Sequence, residues 1–217
     1  MSRRVVVPLV VLLALFASAG CESGGSAPAG KDDSGNLEKG DDAKTTATSQ
    51  TVVFERAGGG EVAKVAIDGG KVTITLGGAT IEGEPKGQKR RYRQGDTLVA
   101  EVKADGDKVK LKDEAGKLLW KIKISDDKIK ISDNEENENP FELKRKDDGY
   151  KVVRGDREIG KVKRYPEDGR IKVKGADESE KFGGKGEGGA AWAVLLLDEV
   201  PEPQRMVIAA ELALRGR

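Results

Sequence analysis

The chain has 217 residues and is nearly neutral, with 39 Lys and Arg against 38 Asp and Glu. This balance argues against a nucleic-acid-binding protein, because that class relies on an excess of positive charge. The chain has no His and a single Cys, which excludes a Ser–His–Asp triad, Cys–His catalysis and zinc sites built on His or several Cys. Charged residues make up 35% of the chain and aromatic residues 4%, so the composition predicts a strongly solvated surface around a lean aliphatic core.

The first twenty residues have the pattern of a secretory signal peptide. Arg3 and Arg4 precede an apolar segment over 5–16, and small residues then lead to Cys21. The apolar segment is too short for a transmembrane helix, which takes about 20 apolar residues. We therefore predict a signal peptide over 1–20, cleaved between Gly20 and Cys21. An ordinary secreted protein with an incidental Cys is the alternative.

The tetrapeptide Ser18-Ala19-Gly20-Cys21 resembles the lipobox of bacterial lipoproteins. The resemblance implies lipid on the Cys21 thiol, which would hold the chain on a membrane because each buried methylene contributes about 0.8 kcal/mol. It also implies a location in the cell envelope. Glu22 stands where the inner-membrane retention signal of this family usually has Asp, so the periplasmic face of the outer membrane or the cell surface is favoured.

Residues 21–50 are rich in Gly, Ser, Ala, Thr and charged residues, with hardly an apolar side chain. This composition is typical of a disordered tether, which would span on the order of 30 Å from the lipidated Cys to the folded part. The remaining residues, 51–217, suit one domain.

From Thr51 onward the hydrophobic pattern has a period of two. It is clearest over 108–112, 118–124 and 128–131, where aliphatic residues alternate with lysines. Turn signals such as Asp105-Gly106 and Asp168-Gly169 separate the runs. The pattern predicts a mainly β fold, an antiparallel meander of about 10–12 strands. Because a long meander with open edges would aggregate, we expect it to close into a barrel.

The lysines on the polar strand faces are predicted to be solubilising outer residues, and a face for anionic lipid or polyanions is the alternative. The acidic run between 126 and 138 is interpreted as a solvated loop. It could bind calcium, but a loop starting at Asp133 has Glu138 where an EF-hand needs Gly and Lys144 where it needs Glu. No metal site is predicted.

Residues 190–197 are apolar on every side and too short to cross a bilayer. They are predicted to form a helix buried inside the barrel, through Trp192, Val194, Leu195, Leu196 and Leu197. The preceding glycines fit G-x-G-x-x-G at Gly184, Gly186 and Gly189, but only 28 residues follow Gly189, too few for a dinucleotide-binding domain. We interpret them as a hinge and predict no cofactor.

A final helix is predicted over 201–214. Its aliphatic residues need cover, while Arg205, Glu211 and Arg215 would form a narrow polar edge. We expect this helix to pack on the end of the barrel rather than on a partner.

The segments 113–121, with the charged meander after it, and 190–200 resemble the LURP-one and phospholipid-scramblase-like branch of the tubby C-terminal domain family. The resemblance implies a twelve-stranded barrel threaded by one hydrophobic helix near the C-terminus. It further implies a membrane-tethered or phosphoinositide-binding module, with scramblase activity attributed to some relatives. No individual residue of a phosphoinositide site carries over.

Together these patterns predict a lipid-anchored, non-enzymatic binding or scaffold module on the membrane surface. Its expected partners are the membrane, through the N-terminal lipid, and a lipid, peptide or envelope protein, with no nucleic acid. A structural envelope spacer and an enzyme that uses carboxylates and lysines are the alternatives. No catalytic residue is predicted, because no Asp or Glu pair stands out from the abundant surface charge.

Overall fold

A computed structural model describes residues 49–217, and the predicted signal peptide and the Gly20 and Cys21 sites lie outside this range. The described residues form a closed antiparallel barrel of fourteen strands in sequence order. The strands are β1 (Gln50–Arg56), β2 (Glu61–Asp68), β3 (Lys71–Leu76), β4 (Ala79–Lys86), β5 (Lys89–Gln94), β6 (Thr97–Asp105), β7 (Lys108–Lys112), β8 (Leu118–Ile124), β9 (Lys128–Ser132), β10 (Phe141–Lys146), β11 (Gly149–Arg154), β12 (Arg157–Tyr165), β13 (Arg170–Gly175) and β14 (Glu180–Lys185). The predicted mainly β fold, closed as a barrel with helices near the C-terminus, is confirmed.

The barrel has more strands than the 10–12 that the alternation indicates, because β4 and β14 are poor in aliphatic residues. Each of these strands instead carries a glycine beneath an aromatic ring. A Cβ atom at Gly83 would clash with the ring of Tyr92, and one at Gly184 would clash with Trp192. At these positions the rings of Tyr92 and Trp192 fill the space that an inward aliphatic side chain would take. The alternating aliphatic pattern that predicts a strand is therefore weak in β4 and β14.

The meander gives the barrel two distinct ends, since successive turns alternate between them. The entry end is where β1 begins at Gln50, and it also carries the turns at 69–70, 87–88, 106–107, 125–127, 147–148 and 166–169. The distal end carries the turns at 57–60, 77–78, 95–96, 113–117, 133–140, 155–156 and 176–179.

Two helices fill the barrel. α1 (Gly189–Ala193) continues into a 3-10 turn (Val194–Leu196) and runs from the entry end to the distal end, and α2 (Glu202–Ala213) returns. α1 contacts β11, β12 and β13, whereas α2 contacts β3 and β6. The residues predicted for the inner helix are at most 7% exposed, namely Trp192, Val194, Leu195, Leu196 and Leu197. Within residues 49–217, no helix has both the length and the apolar character needed to cross a bilayer.

The position of α2 differs from the prediction. Instead of capping the barrel end, α2 lies within the barrel, and every residue from Met206 to Ala213 is buried. The cause is the strand number, because barrel diameter grows with the number of strands. A fourteen-stranded barrel is too wide for one short helix to fill, and the second helix supplies the missing packing.

The outer surface carries lysines in cross-strand register. One row crosses five adjacent strands through Lys128, Lys144, Lys151, Lys161 and Lys174. Like charges placed directly opposite each other destabilise a sheet, and here carboxylates intervene: Glu142 lies 3.1 Å from Lys144 and Glu158 lies 2.7 Å from Lys151. This pairing supports the interpretation of the lysines as a solvated coat.

Candidate functional site

A buried charged cluster lies inside the barrel towards the entry end. α2 supplies Glu211, which is only 1% exposed, and β5 supplies Arg90 and Tyr92. The Glu211 Oε1 atom accepts hydrogen bonds from Arg90 Nη1 at 2.7 Å and from the Tyr92 hydroxyl at 2.8 Å. Arg215 Nη1 donates to Oε2 at 2.7 Å. Glu211 is therefore not part of an exposed polar edge, as the helical pattern suggested.

This cluster connects α2 to the barrel wall. Arg90 also donates from Nε to the carbonyl oxygen of Gly70 at 3.3 Å, which joins the β2–β3 turn to the same network. Burial and the negative charge of Glu211 raise the pKa of Tyr92 well above its usual value of 10.0, so the phenol stays protonated. Both Glu211 oxygens are engaged and the side chain is out of reach of solvent. The cluster therefore has the character of a structural lock rather than of a catalytic acid or base.

A cleft opens at the opposite end of the barrel. We name it the distal cleft: it comprises two adjoining cavities of 290 and 490 Å³ that share Lys181, Phe182 and Leu195 as lining residues. Its floor is apolar and includes Val62, Ile159, Phe182, Leu195, Leu196 and Met206. Basic residues from three elements line it: Arg56 of β1, Lys181 of β14 and Arg205 of α2.

Arg205 is the most deeply placed charge of the distal cleft, with a side chain 15% exposed. Its Nη1 atom donates to Asp198 Oδ1 at 3.1 Å and approaches the Leu195 carbonyl oxygen at 3.4 Å. Its Nε atom, in contrast, is buried without a hydrogen-bond partner. The Nε atom has almost no accessible surface, so it does not present a donor to the cleft, and the Nε1 atom of Trp192 in the barrel interior is buried without a partner in the same way.

The other two cations differ in how they are paired. Lys181 lies 3.1 Å from Asp177, and the Ser179 hydroxyl together with Lys181 lowers the pKa of Asp177 to about 2. Arg56 forms no ion pair with any residue of the described range 49–217. It lines the smaller cavity together with Lys181, and the Ala57 amide next to it donates to the Lys181 carbonyl oxygen at 3.0 Å.

The barrel seam places Arg56 at the cleft. β1 and β14 pair through two residue pairs, Glu55 with Gly183 and Arg56 with Phe182. This short pairing brings the last residue of β1 beside the ring of Phe182, at the edge of the 3-10 turn. The cleft therefore combines residues that are more than a hundred positions apart in the chain.

The glycine motif and the acidic run form no ligand site in the described part of the chain. Gly184 belongs to β14 beneath Trp192, and Gly189 is the first residue of α1. In the acidic run, Glu135 pairs with Lys110 at 2.7 Å and lies 3.5 Å from Lys121. Among residues 49–217, no three His, Cys, Asp or Glu side chains are grouped so as to hold a metal ion.

Comparisons with known proteins give no further guidance. No protein-family model matches the chain, and no curated protein or solved structure shows significant similarity to it. The resemblance to the tubby-like family therefore stays a prediction. The distal cleft and the N-terminal sequence pattern are the two features of the chain that bear on its function.

Proposed function

We propose that this chain is a lipid-anchored lipoprotein of the cell envelope and a non-enzymatic binding module that holds its ligand in the distal cleft. Its ligand is a lipid, a peptide or a neighbouring envelope protein, taken up at the membrane surface. The membrane attachment rests on the signal-peptide pattern and on Cys21.

The observation that carries the binding function is the distal cleft itself, whose apolar floor is bordered by three cations and three carboxylates, namely Arg56, Lys181, Arg205, Asp177, Asp198 and Glu202. Ligand sites are typically concave and apolar with a few oriented polar groups, and the distal cleft has this composition. In the described part of the chain, the barrel interior is occupied by buried side chains of α1, the 3-10 turn and α2.

The position of the cleft suits an anchored module. β1 begins at the entry end, where the chain arrives from Cys21, whereas the cleft lies at the distal end. A ligand bound there would be held at the end of the domain opposite its covalent connection to the lipid. Access to the cleft would then not require the anchor to be released.

Native mass spectrometry of the chain purified from membranes tests the binding function. We expect a bound species of defined mass in one-to-one ratio, because the two cavities of the cleft adjoin along Phe182 and Leu195 and form one apolar floor. A protein that carries no ligand under any mild extraction would favour the structural-spacer alternative. Turnover of the bound species during incubation would favour the enzyme alternative.

Replacement of Cys21 with Ser tests the anchor. We expect this variant to lose metabolic labelling with palmitate and to remain as precursor of unprocessed mass, because the thiol is the acceptor of the lipid. The matched control is Ser26→Ala, which should be labelled and processed like the parent chain. Continued processing and membrane association of Cys21→Ser would contradict the lipoprotein assignment.

A further inference from the structure

The seam between β1 and β14, which closes the barrel, is the shortest strand pairing within residues 49–217. It consists of two residue pairs, Glu55 with Gly183 and Arg56 with Phe182. Every other pair of neighbouring strands is joined by four to six residue pairs. Because cross-strand pairs are what hold a sheet together, this seam is the weakest joint of the barrel wall.

The two pairs of the seam lie at the distal end of the barrel. They involve the last two residues of β1, and one further hydrogen bond follows them, from the Ala57 amide to the Lys181 carbonyl oxygen at 3.0 Å. Closer to the entry end, residues 50–54 of β1 are in register with β2 alone. The seam is therefore fastened at one end of the barrel only.

Side-chain packing adds little to the hold on β14. It is the only strand among residues 49–217 that contains no buried residue, and Phe182 is its one large apolar side chain, half-buried against the core. Gly183 and Gly184 follow Phe182, and glycine within a strand weakens it because it has no side chain to pack. β14 is therefore held mainly by its pairing with β13.

Separation of the seam would change the distal cleft. Arg56 and Phe182 form one of the two pairs of the seam, and both line the 290 Å³ cavity. The other walls of this cavity include Val62 of β2, Leu195 of the 3-10 turn and Met206 of α2, which do not take part in the seam. Movement of β14 away from β1 would therefore widen the cavity between Arg56 and Phe182.

We propose that the barrel opens locally at the seam between β1 and β14, and that this opening widens the distal cleft. β2 holds β1 through six residue pairs and β13 holds β14 through five, so both strands stay attached to the barrel wall when they part. Local opening of this kind is expected where a structure is least stable. It is a property of the barrel that requires no ligand, and it goes beyond the proposed binding function.

Amide hydrogen exchange of the purified full-length chain, followed residue by residue by NMR, tests the proposal. Successive amides of an antiparallel strand point to opposite neighbours. Lys181 accepts from Ala57 of the β1 side, so the Gly183 amide faces β1 and the Phe182 amide faces β13. We expect the amides of Gly183 and Glu55 to exchange at least about tenfold faster than that of Phe182, because only the seam opens. Equal rates at both edges of β14 would overturn the proposal.

A disulfide across the seam supplies the second test. Glu55→Cys with Gly183→Cys joins a cross-strand pair, whose Cα separation of about 4.5–5.5 Å suits a disulfide. Oxidation should slow exchange of the Ala57 amide at least about tenfold relative to the reduced form of the same variant. The control disulfide joins another cross-strand pair, Lys103→Cys with Lys110→Cys between β6 and β7, and should leave the Ala57 rate unchanged. Thermal unfolding establishes that both variants are folded.

The outcomes of the disulfide test are distinct. Equal slowing by the two disulfides would mean that Ala57 exchanges through global unfolding, and no slowing by the seam disulfide would mean that the seam does not open. Either result would overturn the proposal. A chain that shows the expected exchange rates but carries no ligand would refute the proposed binding function alone.

Discussion

The two ends of α2 differ in how completely a charged side chain is paired by hydrogen bonds. Glu211, towards the entry end, is 1% exposed, and its carboxylate is bound by Arg90, Tyr92 and Arg215. Arg205, six residues earlier and at the distal end, keeps a buried Nε atom without a partner. The fully matched carboxylate of Glu211 has a structural role, because both of its oxygens are engaged inside the barrel. Arg205 is hydrogen-bonded only to the exposed Asp198 and the Leu195 carbonyl oxygen, so it is expected to contribute less to stability.

The largest expected effect on stability comes from removing the Glu211 carboxylate. Glu211→Ala would leave the partly buried guanidinium groups of Arg90 and Arg215 and the buried Tyr92 hydroxyl without their carboxylate, and we expect a loss of about 3 kcal/mol in the free energy of unfolding, measured with denaturant. The control is Glu199→Ala, which removes a half-exposed carboxylate from Arg154 and Arg157 and should cost less than about 1 kcal/mol. Similar losses for the two variants would show that Glu211 is not a structural lock.

Alkaline pH should lower the free energy of unfolding through the same cluster, without a mutation at Glu211. The pKa of Tyr92 is raised in the folded state by burial and by Glu211, whereas in the unfolded chain a tyrosine titrates near about 10. Above that pH the unfolded state loses the proton and the folded state keeps it, so stability falls as pH rises, by up to about 1.4 kcal/mol per pH unit. Below it this contribution does not change with pH.

The measurement is the free energy of unfolding between pH 8 and pH 12, compared with that of Tyr92→Phe. The variant lacks the titrating phenol, so its stability should fall less steeply above about pH 10, and subtracting the two curves removes the contribution of the lysines. Parallel curves would show that Tyr92 titrates normally in the folded protein.

The smallest effect on stability is expected from a substitution of Arg205. Arg205→Met keeps most of the buried side-chain volume and removes the unpaired Nε atom, so we expect the free energy of unfolding to change by less than about 1 kcal/mol. A loss of more than about 3 kcal/mol would mean that Arg205 is a structural lock like Glu211, and the contrast between the two ends would fail.

Much of the fold follows from local patterns. Alternation with a period of two predicts β7, β8 and β9 because each residue pair places an aliphatic side chain inward and a lysine outward. A helix without a polar face must be buried, which predicts the interior position of Trp192 and Leu195. The functional prediction at Cys21 also comes from a local pattern, and it lies outside residues 49–217.

The candidate site does not follow from local patterns. Arg56, Phe182 and Arg205 belong to three separate elements, and no spacing in the sequence indicates that they meet. The available signal was the pair of charged residues Arg205 and Glu211 in an otherwise apolar helix, which the helical pattern assigned to a solvent-facing edge. That assignment was wrong for Glu211 because the pattern was read for a helix at the barrel end.

The sequence by itself determined the class of the fold, its closure as a barrel and the burial of an apolar segment near the C-terminus, because these depend on periodicity and on the need to cover apolar faces. The tertiary structure alone decided the number of strands, the place of α2 inside the barrel and the opposite surroundings of Glu211 and Arg205. The physical reason is that strand number sets the width of the barrel. A barrel of this width has room for a second helix, and α2 occupies it. The partners of Glu211 and Arg205 are then set by the strands and loops that lie beside each end of α2.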